Sequence, residues 1–251
     1  MKLIVKMKYN ISGTVMQTVN IELEKGEKVF SESGNMAWMS ENIRMETNTR
    51  GGLFAGIKRR FAGESIFLNT FTCTEGTGII TFSSEFPGKI LPIKLEDKEL
   101  ICQKDAFMCA EDSVKLDMFF RKRLGAGFFG GEGFILQKLS GKGNAFVEIA
   151  GEITMIDLKK DQVIRVDTGH IAMFEPTVDF DIQLVRGAKN ILFGGEGLFL
   201  STLKGPGKVW LQSMPFSKFA ARIGQYLLTR KESGGIRRGI GGIIEGLGRG
   251  I

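Results

Sequence analysis

Apolar and polar residues alternate in short runs along most of the chain, as they do in β-strands that bury one face. The alternation is clear at residues 162–166 and 178–182. Glycines lie between many of these runs and account for 34 of the 251 residues, whereas prolines number 5. Because glycine permits the tight turns that join short strands, this pattern predicts an all-β protein.

One glycine-bracketed pattern occurs three times. Each copy has a Gly-Glu pair, a run of apolar residues, a Gly-x-Gly sequence and a second apolar-rich run. Two short β-runs joined by a glycine-containing loop are typical of a β-hairpin. We therefore predict hairpins at residues 63–82, 131–148 and 195–211.

A second segment also recurs. Stretches of about 17 residues that begin at Leu23, Leu95 and Leu158 align without gaps, and each precedes one of the predicted hairpins. Two patterns that recur in the same order indicate an internal repeat.

The repeat divides the chain into three related β-units at about residues 10–88, 89–151 and 152–214. Each unit alone would leave strand edges uncovered. We therefore predict a β-sandwich of three pseudo-symmetric units, packed around a pseudo-threefold axis with one shared core. Residues 1–216 are accordingly predicted to form a single domain.

The β-pattern ends near residue 216. Apolar residues then recur at helical spacing and Ser217 is suited to cap a helix, so residues 217–231 are predicted to form an amphipathic helix. Residues 232–251 form a basic, glycine-rich tail with an apolar stripe at helical spacing. Each interior glycine costs a helix about 1 kcal/mol relative to alanine. Three outcomes therefore stay open for the tail: disorder, a helix on a protein partner or second subunit, or a helix at an anionic membrane surface.

The net charge of +6 is concentrated at the C-terminus, where residues 222–251 carry six basic and two acidic side chains. The nearly neutral remainder argues against a globally basic nucleic-acid-binding protein. The basic tail is compatible with an acidic partner or an anionic membrane.

Residue types that carry catalysis or bind metals are scarce. The three cysteines, Cys73, Cys102 and Cys109, form no C-x-x-C pair, and His170 is the only histidine. A zinc site would need nearly all of these residues together, and one histidine cannot supply the ligand set of a metal-dependent cupin, so we predict no metal and no cofactor. We also predict no enzymatic activity, with chemistry at Cys73 or His170 as the exception to test.

Free thiols suit a reducing compartment. The first ten residues lack the apolar run of a signal peptide, and no stretch reaches the length of a membrane span. The expected location is the cytoplasm.

Basic and aromatic residues stand together in glycine-broken segments before the first two predicted hairpins, and basic residues recur in the tail. The segments have two interpretations: connectors tucked under a neighbouring unit, or contacts with a partner, a membrane or RNA. The candidate contact residues are Phe54, Lys58, Arg59, Arg60, Phe61, Arg121, Arg123, Phe128, Phe129, Arg237, Arg238 and Arg249.

Several motifs resemble those of a known family. Residues 51–88 contain Gly-Leu-x-x-Gly-x-Lys-Arg and Gly-Glu-Ser-x-Phe-x-Asn-Thr-Phe before a closing Pro-Gly, and residues 166–174 read VDTGHIAMF. Over about residues 5–220 the chain resembles the mitochondrial biogenesis family named for altered inheritance of mitochondria, protein twenty-four.

The resemblance implies a double-stranded β-helix in three related parts, a fold grouped with the tryptophan RNA-binding attenuation protein. It brings no established catalytic residues. Since the eukaryotic members are mitochondrial and this chain lacks a presequence, the resemblance implies a prokaryotic-type member of unknown function.

Two functional hypotheses follow. The leading one is a non-enzymatic scaffold or interaction protein that contacts a protein partner, a second copy of itself or an anionic membrane surface. The alternative is a module that binds a small ligand or single-stranded RNA. Phe54, residues 58–60 and Phe61 would then stack on bases and contact phosphates. The nearly neutral body makes nucleic acid the less favoured partner.

Overall fold

The computed structural model describes residues 7–48, 68–122, 134–184 and 199–229. These residues form eighteen β-strands, two 3₁₀ helices and one α-helix. The all-β class predicted from the alternating pattern is therefore confirmed.

The strands are β1 Lys8–Ser12, β2 Thr18–Glu24, β3 Lys28–Glu32, β4 Met36–Met39, β5 Ile43–Asn48, β6 Leu68–Cys73, β7 Thr77–Ser83, β8 Gly88–Glu96, β9 Leu100–Gln103, β10 Phe107–Glu111, β11 Val114–Lys122, β12 Phe134–Ala150, β13 Ile153–Leu158, β14 Val163–Asp167, β15 Ile171–Phe174, β16 Asp179–Leu184, β17 Phe199–Lys204 and β18 Gly207–Gln212. The 3₁₀ helices span Lys104–Ala106 and Thr168–His170, and the α-helix, α1, spans Phe216–Thr229.

Antiparallel strand pairing follows one scheme three times in chain order. In the first group of strands, β7 pairs with β2 and β4, while β6 pairs with β3 and β5. In the second group, the second half of β12 pairs with β8 and β10, and its first half pairs with β9 and β11. In the third group, β18 pairs with β13 and β15, while β17 pairs with β14 and β16.

The segments predicted to be hairpins do not fold as hairpins. β6 and β7 pair with other strands rather than with each other, as do β17 and β18, and β12 runs without a break through Gly143. Gly143 and Gly207 have φ angles of +145° and +142°, which favour glycine, and a Cβ at Gly207 would lie 2.5 Å from Thr177 Oγ1. These glycines let the chain bend from one layer into the next, where the sequence pattern predicted a reversal.

Two further pairings join the groups: β10 pairs with β3, and β15 pairs with β9. Because β12 is long enough to belong to two layers, the strands form four layers. In order, the layers are β1-β2-β7-β4, then β5-β6-β3-β10-β12-β8, then β11-β12-β9-β15-β18-β13, and finally β14-β17-β16.

Apolar side chains fill the space between successive layers in three cores, and each core draws residues from more than one group of strands. Burial of one such side chain stabilises the fold by about 1.5–3 kcal/mol. Representative residues of the first core are Val19, Phe71, Phe82 and Phe146, of the second Phe30, Leu139, Val147 and Met173, and of the third Leu136, Phe174, Ile182 and Leu203.

Helix α1 begins one residue before the predicted start. Ser217 is therefore the second residue of the helix rather than the residue before it, and the main-chain N–H groups of Lys218 and Phe219 donate to the carbonyl oxygen of Pro215, both at 3.1 Å. The predicted tail at residues 232–251 lies outside the described residues.

We expect Phe71→Ala to lower the free energy of unfolding by about 3–5 kcal/mol, since the substitution leaves a cavity in a packed core. Phe71 is fully buried in the first core, and its ring meets that of Phe82 edge-on with 5.7 Å between centroids. Chemical denaturation measures the change. Ile79→Ala, on the exposed face of β7, is the control and should cost less than about 1 kcal/mol. Equal losses for the two variants would contradict this core.

Candidate interaction site

Eleven of the twelve candidate contact residues lie outside the described residues, so their roles stay predictions. Arg121 lies in β11, where its main chain is opposite Ile135 of β12. The eleven others are Phe54, Lys58, Arg59, Arg60, Phe61, Arg123, Phe128, Phe129, Arg237, Arg238 and Arg249.

The three thiols are all buried. Burial raises the pKa of Cys102 and of Cys109 well above the ordinary thiol value, so both stay protonated at neutral pH and lack the thiolate that acts as a nucleophile. The Cys73 thiol donates to the carbonyl oxygen of Glu75 at 3.3 Å. The thiols therefore serve as small packing groups in the cores.

His170 ends the second 3₁₀ helix, and its Nδ1 lies 2.8 Å from the carbonyl oxygen of Gln212. That oxygen can only accept, so Nδ1 carries a proton and donates it. The contact ties the 3₁₀ helix to the end of β18. Among the described residues, no group of three or more His, Cys, Asp or Glu side chains could hold a metal ion.

Two buried polar side chains occupy matching places in the second and third groups of strands. Oε1 of Gln212 accepts from the main-chain N–H of Ala150 at 3.1 Å, and Oε1 of Glu148 accepts from that of Phe86 at 3.4 Å. Nε2 of Gln212 also donates to the carbonyl oxygen of Gly169 at 2.9 Å. Sequence reasoning missed this pair, although the aligned repeats place Glu148 opposite Gln212.

The Glu148 carboxyl group is nearly inaccessible to water. Its pKa is raised from the ordinary 4.5 to about 7, chiefly because burial removes the carboxylate from water; the hydrogen bond from Phe86 lowers the pKa and the nearby Glu85 carboxylate raises it. The side chain therefore changes charge near neutral pH inside the fold.

Helix α1 presents apolar side chains to solvent. Phe216, Phe219 and Ile223 are all exposed, and their spacing places them on one face of the helix. The ring of Phe216 also lies 5.6 Å from that of Phe86, centroid to centroid, and Lys218 Nζ lies 2.9 Å from Oδ2 of Asp167 at the end of β14. We call Phe216, Phe219 and Ile223 the helix stripe.

Two strands at the ends of the layer stack also expose apolar side chains. β4 borders the first layer and β14 borders the fourth, and within the described residues neither is paired with a strand on its outer side. Trp38 of β4 is 57% exposed and Val163 of β14 is 49% exposed. An uncovered strand edge with large apolar residues is a template for pairing with another chain. The sequence patterns did not single out either residue.

The family model described as Mitochondrial biogenesis AIM24 matches residues 9–214. The chain belongs to this family. The match covers nearly all of the β-layers and ends before α1. The helix stripe therefore lies outside the residues that the family model matches.

Relatives from Streptococcus pyogenes extend over most of the AIM24-family chain. A protein of serotype M6, whose name describes it as uncharacterized, is 28% identical over 233 residues, which cover 89% of this chain and 92% of the relative. A crystal structure of a protein from the same species has a TM-score of 0.73 at 25% identity, and it covers 88% of this chain and 100% of its own. The layered β-fold is therefore shared with a solved structure.

Among the described residues, no helix is both long and apolar enough to cross a bilayer.

We expect Glu148→Gln to remove a pH dependence from the stability of the protein. The folded-state pKa of about 7 lies above the ordinary value of 4.5, so the unfolding free energy falls as pH rises from 4.5 to 7 and is level above that. The loss amounts to about 3 kcal/mol. The variant should therefore be more stable than the wild type above pH 7 and similar to it below pH 4.5.

Denaturation midpoints across this pH range measure the effect. Gln212→Glu is the reciprocal variant, because it places a carboxyl group in the corresponding buried position, and it should introduce the same fall in stability toward neutral pH. An unchanged pH slope in Glu148→Gln would contradict the assignment.

Proposed function

We propose that this protein is a non-enzymatic scaffold whose β-layers carry apolar contact surfaces for a partner, which is either a second copy of the chain or an anionic membrane surface. The observation that carries the proposal is the helix stripe, three apolar side chains held in water on one face of a helix anchored to the β-layers. Exposed apolar groups that form a continuous face mark sites of interaction.

The anchoring of α1 supports a role in contact. The ion pair from Lys218 to Asp167 and the ring contact from Phe216 to Phe86 attach the first turn to two different parts of the layer stack. Ordering a helix before it binds lowers the entropy lost on association, so an anchored stripe binds better than a free one. Covering a half-exposed phenylalanine contributes roughly 1 kcal/mol.

Charge supports an anionic surface as one of the two partners. Residues 222–251, which begin inside α1, carry six basic and two acidic side chains. A helix with an apolar face that leads into a basic segment is typical of proteins that lie on membranes containing anionic lipids.

The state of the polar groups supports a binding role over catalysis. The thiols serve packing, His170 bonds to the main chain, and Glu148 is enclosed beside Phe86. An active site instead sets a nucleophile, acid or base where a substrate can reach it. The buried free thiols also support our proposal that the protein resides in the cytoplasm.

We further propose that the three groups of strands descend from one β-motif and form a double-stranded β-helix of three pseudo-symmetric units, similar to the tryptophan RNA-binding attenuation protein. The recurrence of one pairing scheme supports this. So does the matching hydrogen bonding of Glu148 and Gln212.

We expect the double variant Phe219→Asp with Ile223→Asp to lose binding to anionic vesicles by about tenfold or more, because two carboxylates on the stripe would resist burial at the surface. Flotation of the full chain with phosphatidylserine-containing vesicles measures this, and phosphatidylcholine vesicles test the dependence on charge. Sedimentation velocity on the same samples measures self-association.

Met155→Asp is the matched control, because Met155 is an exposed apolar residue on β13, and it should behave as the wild type does. The proposal fails if the stripe variant and the wild type show the same vesicle binding and the same association state.

A further inference from the structure

We propose that β4 of one molecule pairs with β14 of a second copy of this chain. This pairing would form, between two molecules, the same kind of junction that joins the groups of strands within one molecule. This inference rests on the proposed interaction function and names its partner.

The internal junctions define the geometry. At each of them the third strand of a group pairs antiparallel with the second strand of the preceding group. Where β10 meets β3, Ala110 lies opposite Phe30, and where β15 meets β9, Met173 lies opposite Cys102. All four of these residues are fully buried.

By the same rule, a third junction would join the first group of strands to the third group. β4 is the third strand of the first group and β14 is the second strand of the third group, yet the two are not paired with each other within the described residues. Trp38 stands where Ala110 and Met173 stand in the other groups, and it is 57% exposed while both of those residues are 0% exposed. Val163 is 49% exposed, whereas its counterpart Leu100 is 5% exposed.

The cores agree with an open junction. Phe30 of β3 lies in the second core, so the second strand of the first group is covered by the layer that follows it. Its counterpart Arg165 in β14 is exposed, and the buried residues of the first core all come from the first and second groups. The first and fourth layers therefore do not cover each other in the part of the chain that the structure describes.

Both internal junctions predict the same register for the missing one. The pairs Ala110–Phe30 and Met173–Cys102 each translate to Trp38 opposite Arg165. By the same repeat alignment, the neighbouring pairs Glu111–Val29 and Phe174–Ile101 each correspond to Met39 opposite Ile164.

The facing side chains are complementary. An arginine guanidinium within about 6 Å of a tryptophan ring is attracted to its face, and Trp38 and Arg165 are both exposed and available for this contact. Met39 opposite Ile164 would extend the apolar contact. A second copy of the chain is the occupant because it supplies the strand that the register requires.

The junction joins two different edges, so it is heterologous. Each molecule offers one β4 edge and one β14 edge, and association therefore proceeds head to tail, closing into a ring or extending as a chain. An interface that used the same edge on both copies would stop at a dimer.

The test uses sedimentation velocity of the full chain over a concentration series up to about 100 µM. The wild type should self-associate. Trp38→Lys places a like charge opposite Arg165 and should weaken association by about tenfold or more. Arg165→Glu should also weaken it, because the cation that faces Trp38 is lost. The double variant, Trp38→Lys with Arg165→Glu, should recover association because opposite charges then face each other.

Mixing the two single variants gives a second readout. Each β4 edge in the mixture has a complementary β14 edge on the other variant, so the mixture should associate although neither variant does alone. Met155→Lys, on the exposed face of β13, is the matched control and should leave association unchanged. Circular dichroism checks folding, and amide hydrogen exchange on the wild type should show residues 36–39 and 163–166 becoming more protected as concentration rises.

A wild type that remains monomeric at about 100 µM would overturn the inference. So would association that is insensitive to both single variants, or single-variant losses that neither the double variant nor the mixture restores. Association lost only in the Phe219→Asp and Ile223→Asp variant would overturn it in favour of contact through the helix stripe. Vesicle binding does not involve β4 or β14, so it separates this failure from failure of the proposed function.

Discussion

The pairing of the third strand of one group with the second strand of the preceding group is the contact on which the molecule depends. It occurs at β10 with β3 and at β15 with β9, and it merges three short strand groups into layers wide enough to enclose cores on both faces. Phe30 shows the consequence, since a strand of the first group is buried against the second core only because the next layer covers it. A chain built this way has an open strand edge in its first and in its last layer, because the same rule leaves the outer sides of β4 and β14 unpaired within the described residues. The exposure of Trp38 and Val163 therefore follows from the construction of the fold.

The same construction explains the paired polar side chains in the interior. In the second and third groups, a side chain near the end of the last strand accepts a main-chain N–H, and Gln212 does this while its amide donates to Gly169. Glu148 accepts the equivalent N–H from Phe86 but has no amide to donate. Protonation removes the buried charge, which is why desolvation raises the pKa of this carboxyl group. One structural position is thus filled by two side chains with different responses to pH.

Sequence reasoning predicted the features that local pattern determines. The alternation predicted the all-β class, and helical spacing predicted α1 to within two residues at each end. Sequence reasoning failed where tertiary structure sets the role of a glycine. The pattern predicted hairpin turns at Gly143 and Gly207, but at these glycines the chain passes from one layer into the next. Open edges could not be predicted either, because Trp38 stands in a short apolar run like those of its buried counterparts. What differs is the absence of a strand on the outer side of β4, which is a property of the whole fold. The glycine-broken basic segments lie outside the described residues and stay predictions.

The first turn of α1 is attached to the β-layers by two contacts with different chemistry. Asp167, the last residue of β14, forms an ion pair with Lys218 of α1. Phe86, which lies three residues after β7, contacts Phe216. The first turn of α1 therefore bridges the fourth layer and the segment that leaves the first layer, the two layers that carry the open edges. An ion pair with one partner about two-fifths exposed is weak and is screened by salt, whereas the ring contact between Phe216 and Phe86 depends on apolar burial. Salt would consequently weaken the contact of α1 with β14 before it weakened the contact of α1 with Phe86, so the two attachments of the helix respond separately to the same solution conditions.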